Sequence, residues 1–242
     1  SLEALAGKTV PKHIRLKSGM VLEPARSETE ALAHLEQMIE KNQLKKSFIG
    51  MGYSETVTPG VILRNMLENP GWYTAYTPYQ AEIAQGRLEG LLNFQQMVMD
   101  FTGMELANAS LLDEATAAAE AMTMIRRVAR KNKSNRFLVK DDCLPQTIDV
   151  VANRAHHLGI EVEVVDDLEQ AAIDGDYFGI LAQYPGASGQ IRDLQPLAER
   201  AHNQDAMLAV ACDLLGLALL KPPGEMGADV VVGSAQRFGV PM

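Results

Sequence analysis

YTPYQAEIAQGRLEGLLNFQQMVMDFTGMELANASLLDEATAAAEAM, residues 76–122, is the stretch whose reading decides the fold. It joins a tyrosine- and proline-punctuated loop, an amphipathic helix, a short Ala-Asn-Ala-Ser connection and an alanine-rich helix opened by two acids. Asp113 and Glu114 stand where capping and charge-complementing residues belong at a helix start. The small side chains from Ala115 to Ala121 let that helix pack closely on whatever lies beneath it. Helix N-termini in α/β proteins commonly hold phosphates. This one opens with two carboxylates, which repel a phosphate.

Downstream, the pattern alternates between short apolar strands and amphipathic helices. The alanine-rich helix runs to about Lys131, with Arg126, Arg127, Arg130 and Lys131 set against the negative end of its dipole. Phe137 to Val139 reads as a strand, and a helix carries Ile148, Val151, Ala152 and Ala155 before Gly159. Then come a strand from Ile160 to Val165, a brief helix near Leu168 and a strand from Phe178 to Gln183. After the turn Tyr184-Pro185-Gly186 follow a helix from Leu194 to Asn203, a strand from Met207 to Cys212 and a last strand from Ala228 to Val232. Strands and helices in turn predict a mostly parallel sheet covered on both faces.

Upstream, residues 1–24 are irregular, with Pro11, Gly19 and Pro24 as punctuation. Ser27 with Glu30 forms a capping box, and the helix it opens is expected to bury Ala31, Leu32, Leu35, Met38 and Ile39 on one face and to end near Lys41 or Asn42. FIGMGYSETVTPG, from Phe48, reads as a loop, followed by a short helix from Val61 to Leu67 and a turn at Asn69-Pro70-Gly71. Trp72, Tyr73, Tyr76 and Tyr79 crowd into eight positions, to line a site or interface or to fill core. Leu88, Leu91, Leu92, Val98 and Phe101 mark a long helix ended by Gly103. The chain divides on this reading into residues 1–100, a helical segment with an aromatic loop, and residues 101–242, an incomplete large α/β domain.

At 242 residues there is room for one large or two small domains. The balance of 22 basic against 31 acidic residues leaves a charge of −9 and no basic cluster beyond one helix end, which argues against nucleic acid as a partner. Cys143 and Cys212 stand far apart and outside any CxxC pattern, so they read as two buried thiols. The five histidines, His13, His34, His156, His157 and His202, lack metal-ligand spacing. No GxGxxG, P-loop or GxSxG elbow occurs. No apolar run approaches membrane-spanning length, and SLEALAGKTVPKHIRL lacks the shape of a signal peptide. The chain lacks an initiator Met and stops at FGVPM just after a strand-like run, so a piece of a longer chain is expected.

Five stretches carry a resemblance to a known family: FIGMGY (48–53), ILRNMLENPGW (62–72), YTAYTPYQAEIAQGRLEGLLNFQ (73–95), ANASLLDEATAAAEAM (107–122) and PPGEMGADVVVGSAQRFGVPM (222–242). Together they resemble the P-proteins of the glycine cleavage system, the glycine decarboxylases, and more narrowly their N-terminal half. The resemblance implies a fold type I pyridoxal-phosphate-dependent large domain, here stopping before its C-terminal part. It implies an enzyme, glycine dehydrogenase (aminomethyl-transferring), that decarboxylates glycine and passes the aminomethyl group to the lipoyl arm of H-protein. The family's chain is a tandem duplication whose C-terminal half carries the Schiff-base lysine, either fused or as a separate subunit. Implied partners are therefore that lysine-bearing half, lipoylated H-protein and a second copy of the complete chain. The implied compartment is bacterial cytoplasm, or the mitochondrial matrix in a eukaryote.

On the family's duplicated pattern, the lysine position falls on Gln236, whose primary amide cannot form an imine. The phosphate-binding Ser-Gly pair falls on Asp113 and Glu114. A carboxylate 4 Å from a phosphate charge costs about 1 kcal/mol in water and about 4 kcal/mol at an effective dielectric near 20. That exceeds the roughly 0.3–1 kcal/mol a helix dipole offers an anion. Asp213 matches the aspartate that would meet the pyridinium nitrogen, and reads as a relic or local hydrogen-bonding group. The expectation is a half without catalytic, cofactor or metal residues of its own, pyridoxal phosphate being bound by the other half. Tyr76, Thr77, Tyr79 and Gln80 are the candidates for reaching the partner half's site, since their loop offers hydroxyl and amide groups beside aromatic faces. The alternatives are a non-enzymatic scaffold subunit and a stand-alone fold type I enzyme, for which Lys221 lies on the wrong side of the last strand.

Overall fold

The computed structural model describes residues 1–240, Asp174 by its backbone alone; Pro241 and Met242, the end of the last family-like stretch, lie outside the described residues. The chain forms two compact units, Ser1–Lys46 and Ser47–Met242. The first contains α1 (Leu2–Thr9) and α2 (Glu28–Ile39). The Ser27 capping box is present, its hydroxyl oxygen accepting from Glu30 N at 3.3 Å and the Glu30 carboxylate accepting from Ser27 N at 2.7 Å. The burial expected of this helix is not found. Leu32, Leu35, Met38 and Ile39 are exposed, and the helix ends at Ile39. An apolar stripe records that a helix needs a cover; the unit itself supplies none.

In the second unit, α3 (Gly60–Ile62) runs into a π-helical turn at Leu63–Leu67. The expected turn at Asn69 is a short helix instead, α4 (Pro70–Tyr73), with Asn69 Oδ1 accepting from Gly71 N at 2.9 Å. The long helix α5 (Gln85–Thr102) closes on Gly103 in the left-handed conformation, φ 70°. A side chain at Gly224 would strike the Gly103 backbone, so this cap packs main chain against main chain.

The α/β core follows in the predicted order: α6 (Glu114–Val128), β1 (Arg136–Lys140), α7 (Pro145–Leu158), β2 (Glu161–Val165), α8 (Leu168–Asp174), β3 (Gly179–Tyr184), α9 (Gln195–Asn203), β4 (Met207–Asp213) and β5 (Val230–Ser234). The strands form one parallel sheet in the order β2-β1-β3-β4-β5. Successive residues of β4 serve opposite faces, as strand geometry requires. Leu208 and Val210 pack with α8 and α9, whereas Ala209 and Ala211 join Ala118, Ala119 and Ala121 of α6. Small residues on both sides bring α6 close to the sheet. Fully burying a side chain the size of Phe178, Ile180 or Leu208 contributes about 1.5–3 kcal/mol each. The cysteines are buried on opposite faces, Cys143 with α6 and α7, Cys212 with α8 and α9.

Candidate functional site

In an open parallel sheet, ligands sit outside the carboxyl ends of the strands, near the point where strand order reverses. Here β2 and β3 lie on either side of β1, so the reversal falls between β1 and β3. The loops after these two strands are tied together. Asp142 accepts from Ser188 N (2.7 Å) and Ser188 Oγ (2.9 Å), while its own carbonyl accepts from Ala187 N (2.7 Å).

The N-terminus of α6 stands beside the ends of β3 and β4. Asp113 is its N-cap, accepting from Thr116 N at 2.7 Å, with the Thr116 hydroxyl accepting in return from Asp113 N at 3.1 Å. The acid serves the helix start that an incoming anion would otherwise occupy. Glu114 points inward, and its Oε1 accepts from the Gln183 amide at 3.3 Å. Burial raises the Glu114 pKa above the ordinary carboxylate range; the Gln183 bond opposes the shift, and the charges of Asp213 and Asp113 add to it. Burial first, then neighbouring carboxylates including Glu114, pushes the thiols of Cys143 and Cys212 up to about 12. Neither is a nucleophile at neutral pH.

Asp213 closes β4. It accepts from Leu215 N at 3.2 Å and lies 3.3 Å from Arg237 Nε, an ion-pair approach outside hydrogen-bond alignment. Gln236, just past β5, donates its side-chain amide to the Ser54 carbonyl at 2.8 Å. Asp113, Glu114, Cys212, Ser234, Gln236 and Phe238 line a groove of about 1350 Å³ along the open edge of β5.

The structure thus gathers Asp113, Glu114, Asp213 and Gln236 at one end of the sheet. Their chemistry does not fit covalently held pyridoxal phosphate. Gln236 offers an amide already engaged with main chain, the α6 start is occupied by its own cap and a half-buried acid, and Asp213 faces a cation of its own chain. Nor does a lysine stand in. Lys221 is exposed ahead of β5, and Lys140 at the end of β1 is ion-paired with Asp141. Among the described residues, no group of three or more His, Cys, Asp or Glu is placed to hold a metal ion.

Tyr76, Thr77, Tyr79 and Gln80 do not line this groove. They form an exposed loop, with Tyr76 and Tyr79 81% and 80% exposed and their rings edge to face, 6.0 Å apart. Trp72 and Tyr73 are exposed too, so these aromatics fill no core within this chain. Ser54, Gln183 and Arg237 were not legible as site residues. Only Gln183, a polar residue closing an apolar strand, carries a local signal.

The family model for the glycine cleavage system P-protein matches residues 1–242. Glycine dehydrogenases (decarboxylating) from Dechloromonas aromatica and Stutzerimonas stutzeri are 61% and 62% identical over the whole chain. The chain spans only 25% of the length of these relatives. Among solved structures, an inhibitor-bound glycine decarboxylase (P-protein) superposes with a TM-score of 0.88 at 31% identity, covering all of this chain and 55% of that one. A sphingosine-1-phosphate lyase from Burkholderia pseudomallei shares the fold at a TM-score of 0.65 and 16% identity, covering 97% of this chain and 59% of that one.

Proposed function

Because the chain belongs to the glycine cleavage system P-protein family, we propose that it is a non-catalytic part of the N-terminal half of a glycine decarboxylase. Its fold is the fold type I large-domain architecture. The complete enzyme decarboxylates glycine and transfers the aminomethyl group to the lipoyl arm of H-protein. Pyridoxal phosphate, which supplies the electron sink for that chemistry, is held by the lysine-bearing other half. Residues 1–100 are the helical segment whose aromatic loop is offered to this half, and residues 101–242 are the incomplete large α/β domain.

One observation carries the reading: Gln236, which the resemblance sets at the family's lysine position, offers an amide that donates to the Ser54 carbonyl. Tyr76, Thr77, Tyr79 and Gln80 then contribute across an interface, because their own chain leaves them uncovered. The complete enzyme works as a homodimer in the bacterial cytoplasm. Among the described residues, no helix is long and apolar enough to cross a membrane.

Borohydride reduction of the complete enzyme with pyridoxal phosphate, followed by peptide mapping, tests the assignment. One phosphopyridoxyl group per chain is expected on a lysine outside residues 1–242. A stoichiometric label within these residues overturns it.

A further inference from the structure

The segment Met51–Thr58 crosses the carboxyl end of the sheet, and the tertiary structure binds it there at both ends. On one side the Gln146 amide, in the first turn of α7, donates to the Met51 carbonyl at 2.8 Å. Gly52 is pressed so close to Leu144 that an added Cβ would lie 2.6 Å from Leu144 Cδ1. On the other side Gln236 donates to the Ser54 carbonyl at 2.8 Å, and Thr58 Oγ1 donates to the Gly239 carbonyl at 2.9 Å. Thr56 Oγ1 adds a longer contact to the Val240 carbonyl, 3.4 Å. Leu144 follows β1 and Gln236 follows β5, with β3 and β4 between them in the sheet. A segment that touches both therefore passes the ends of β3 and β4, where Gln183 and Asp213 lie.

The backbone at its start is held in an uncommon conformation. Gly50, Met51 and Gly52 all have positive φ, at 70°, 58° and 78°. Glycine takes this region freely, whereas methionine does so only where surrounding structure holds it.

We propose that Met51–Thr58 is a strap laid by the chain over its own carboxyl-end crevice, with the Gln236 amide as its clasp. Gln236 is thereby a positioning residue that holds the strap across the ends of β3 and β4, in addition to lacking an amine. The proposal rests on the reading that this half holds no covalent cofactor. It adds a reason why an amine alone at position 236 does not restore one: the place above β3 and β4 is taken by main chain.

Limited chymotrypsin digestion of the complete enzyme, followed by mass spectrometry at the Tyr53–Ser54 bond, reports opening of the strap. Gln236→Glu keeps the shape and removes the donor, so cleavage at this bond is expected to quicken about five- to tenfold, the loss of one hydrogen bond. The β4 amides, residues 207–213, should keep their protection against hydrogen exchange. Gln236→Lys retains an N–H donor and should be cleaved like the parent enzyme. With pyridoxal phosphate and borohydride, it should gain no label at position 236. If Gln236→Glu loosens β4 as well, Thr58→Val, which removes the second tie, is the independent variant and should quicken the strap alone.

Unchanged cleavage after Tyr53 in both Gln236→Glu and Thr58→Val overturns the clasp. A label at position 236 in Gln236→Lys overturns the covering of the strand ends by the strap. A stoichiometric label on a native lysine within residues 1–242 would instead remove the silent-half reading, while the cleavage data still decide the strap.

Discussion

The Gln183 side-chain amide donates to Glu114 Oε1 at 3.3 Å, joining the end of β3 to the first residue of α6. The bond only partly offsets burial, so the Glu114 pKa lies above its unfolded value. A carboxyl group whose pKa is raised on folding favours the native state below the unfolded pKa, and that contribution is lost as pH climbs through the folded pKa. Glu114→Gln, which carries no charge and can still bond Gln183, should therefore raise the melting temperature at neutral pH. The gain should shrink to nothing in acid, below the ordinary carboxyl range. Thermal unfolding of both chains across that interval checks the sign; a gain that grows on acidification would contradict the burial of Glu114.

The two thiols offer an independent probe of the same region. With both pKa values pushed up to about 12 and both side chains buried, native Cys143 and Cys212 should resist a thiol-specific disulfide reagent at neutral pH. Both should react within the mixing time once guanidinium is added. Prompt labelling of one thiol in the native chain would show that its face of the sheet opens.

Tyr76 and Tyr79 meet edge to face yet stand exposed. Replacing both by Phe in the complete enzyme keeps the rings and removes the hydroxyls. If the loop reaches the partner half's site, glycine decarboxylation should fall by about tenfold or more, the scale of one or two lost hydrogen bonds in a shielded site. Circular dichroism of this chain should not change. Unaltered kcat and KM would remove the loop from the site.

Leu106 and Leu112 are 86% and 88% exposed beside the groove along β5, which among the described residues pairs on one side only, with β4. An open strand edge rimmed by uncovered leucines invites association. The isolated chain should self-associate, giving a light-scattering mass above that of a monomer. Leu106→Lys with Leu112→Lys should lower that mass. A monodisperse monomer of the parent chain would show that the edge is harmless in solution.

Much of the fold was legible because its signals are local. The Ser27 box, the Asp113 cap and the left-handed glycines at 103 and 159 each act within a turn of the residues they govern. Strand spacing was equally plain, since a parallel sheet buried on both faces demands continuous apolar runs such as those of β3 and β4. Where periodicity failed, it failed on covering. The stripe of α2 and the aromatics from Trp72 to Tyr79 are apolar in pattern and exposed in fact. Periodicity shows which face is apolar; it carries no information about which element covers that face.

By itself, then, the amino-acid order determined the succession of helices and strands, the parallel sheet, and the absence of an amine at position 236. Only the tertiary structure decided that Gln236 meets Ser54 across 182 residues, and that Glu114 lies half-buried beside Gln183. The physical reason is range. Caps and alternation act between residues a few positions apart, whereas these contacts exist only after five strands have taken an order that places distant loops at one end of the sheet.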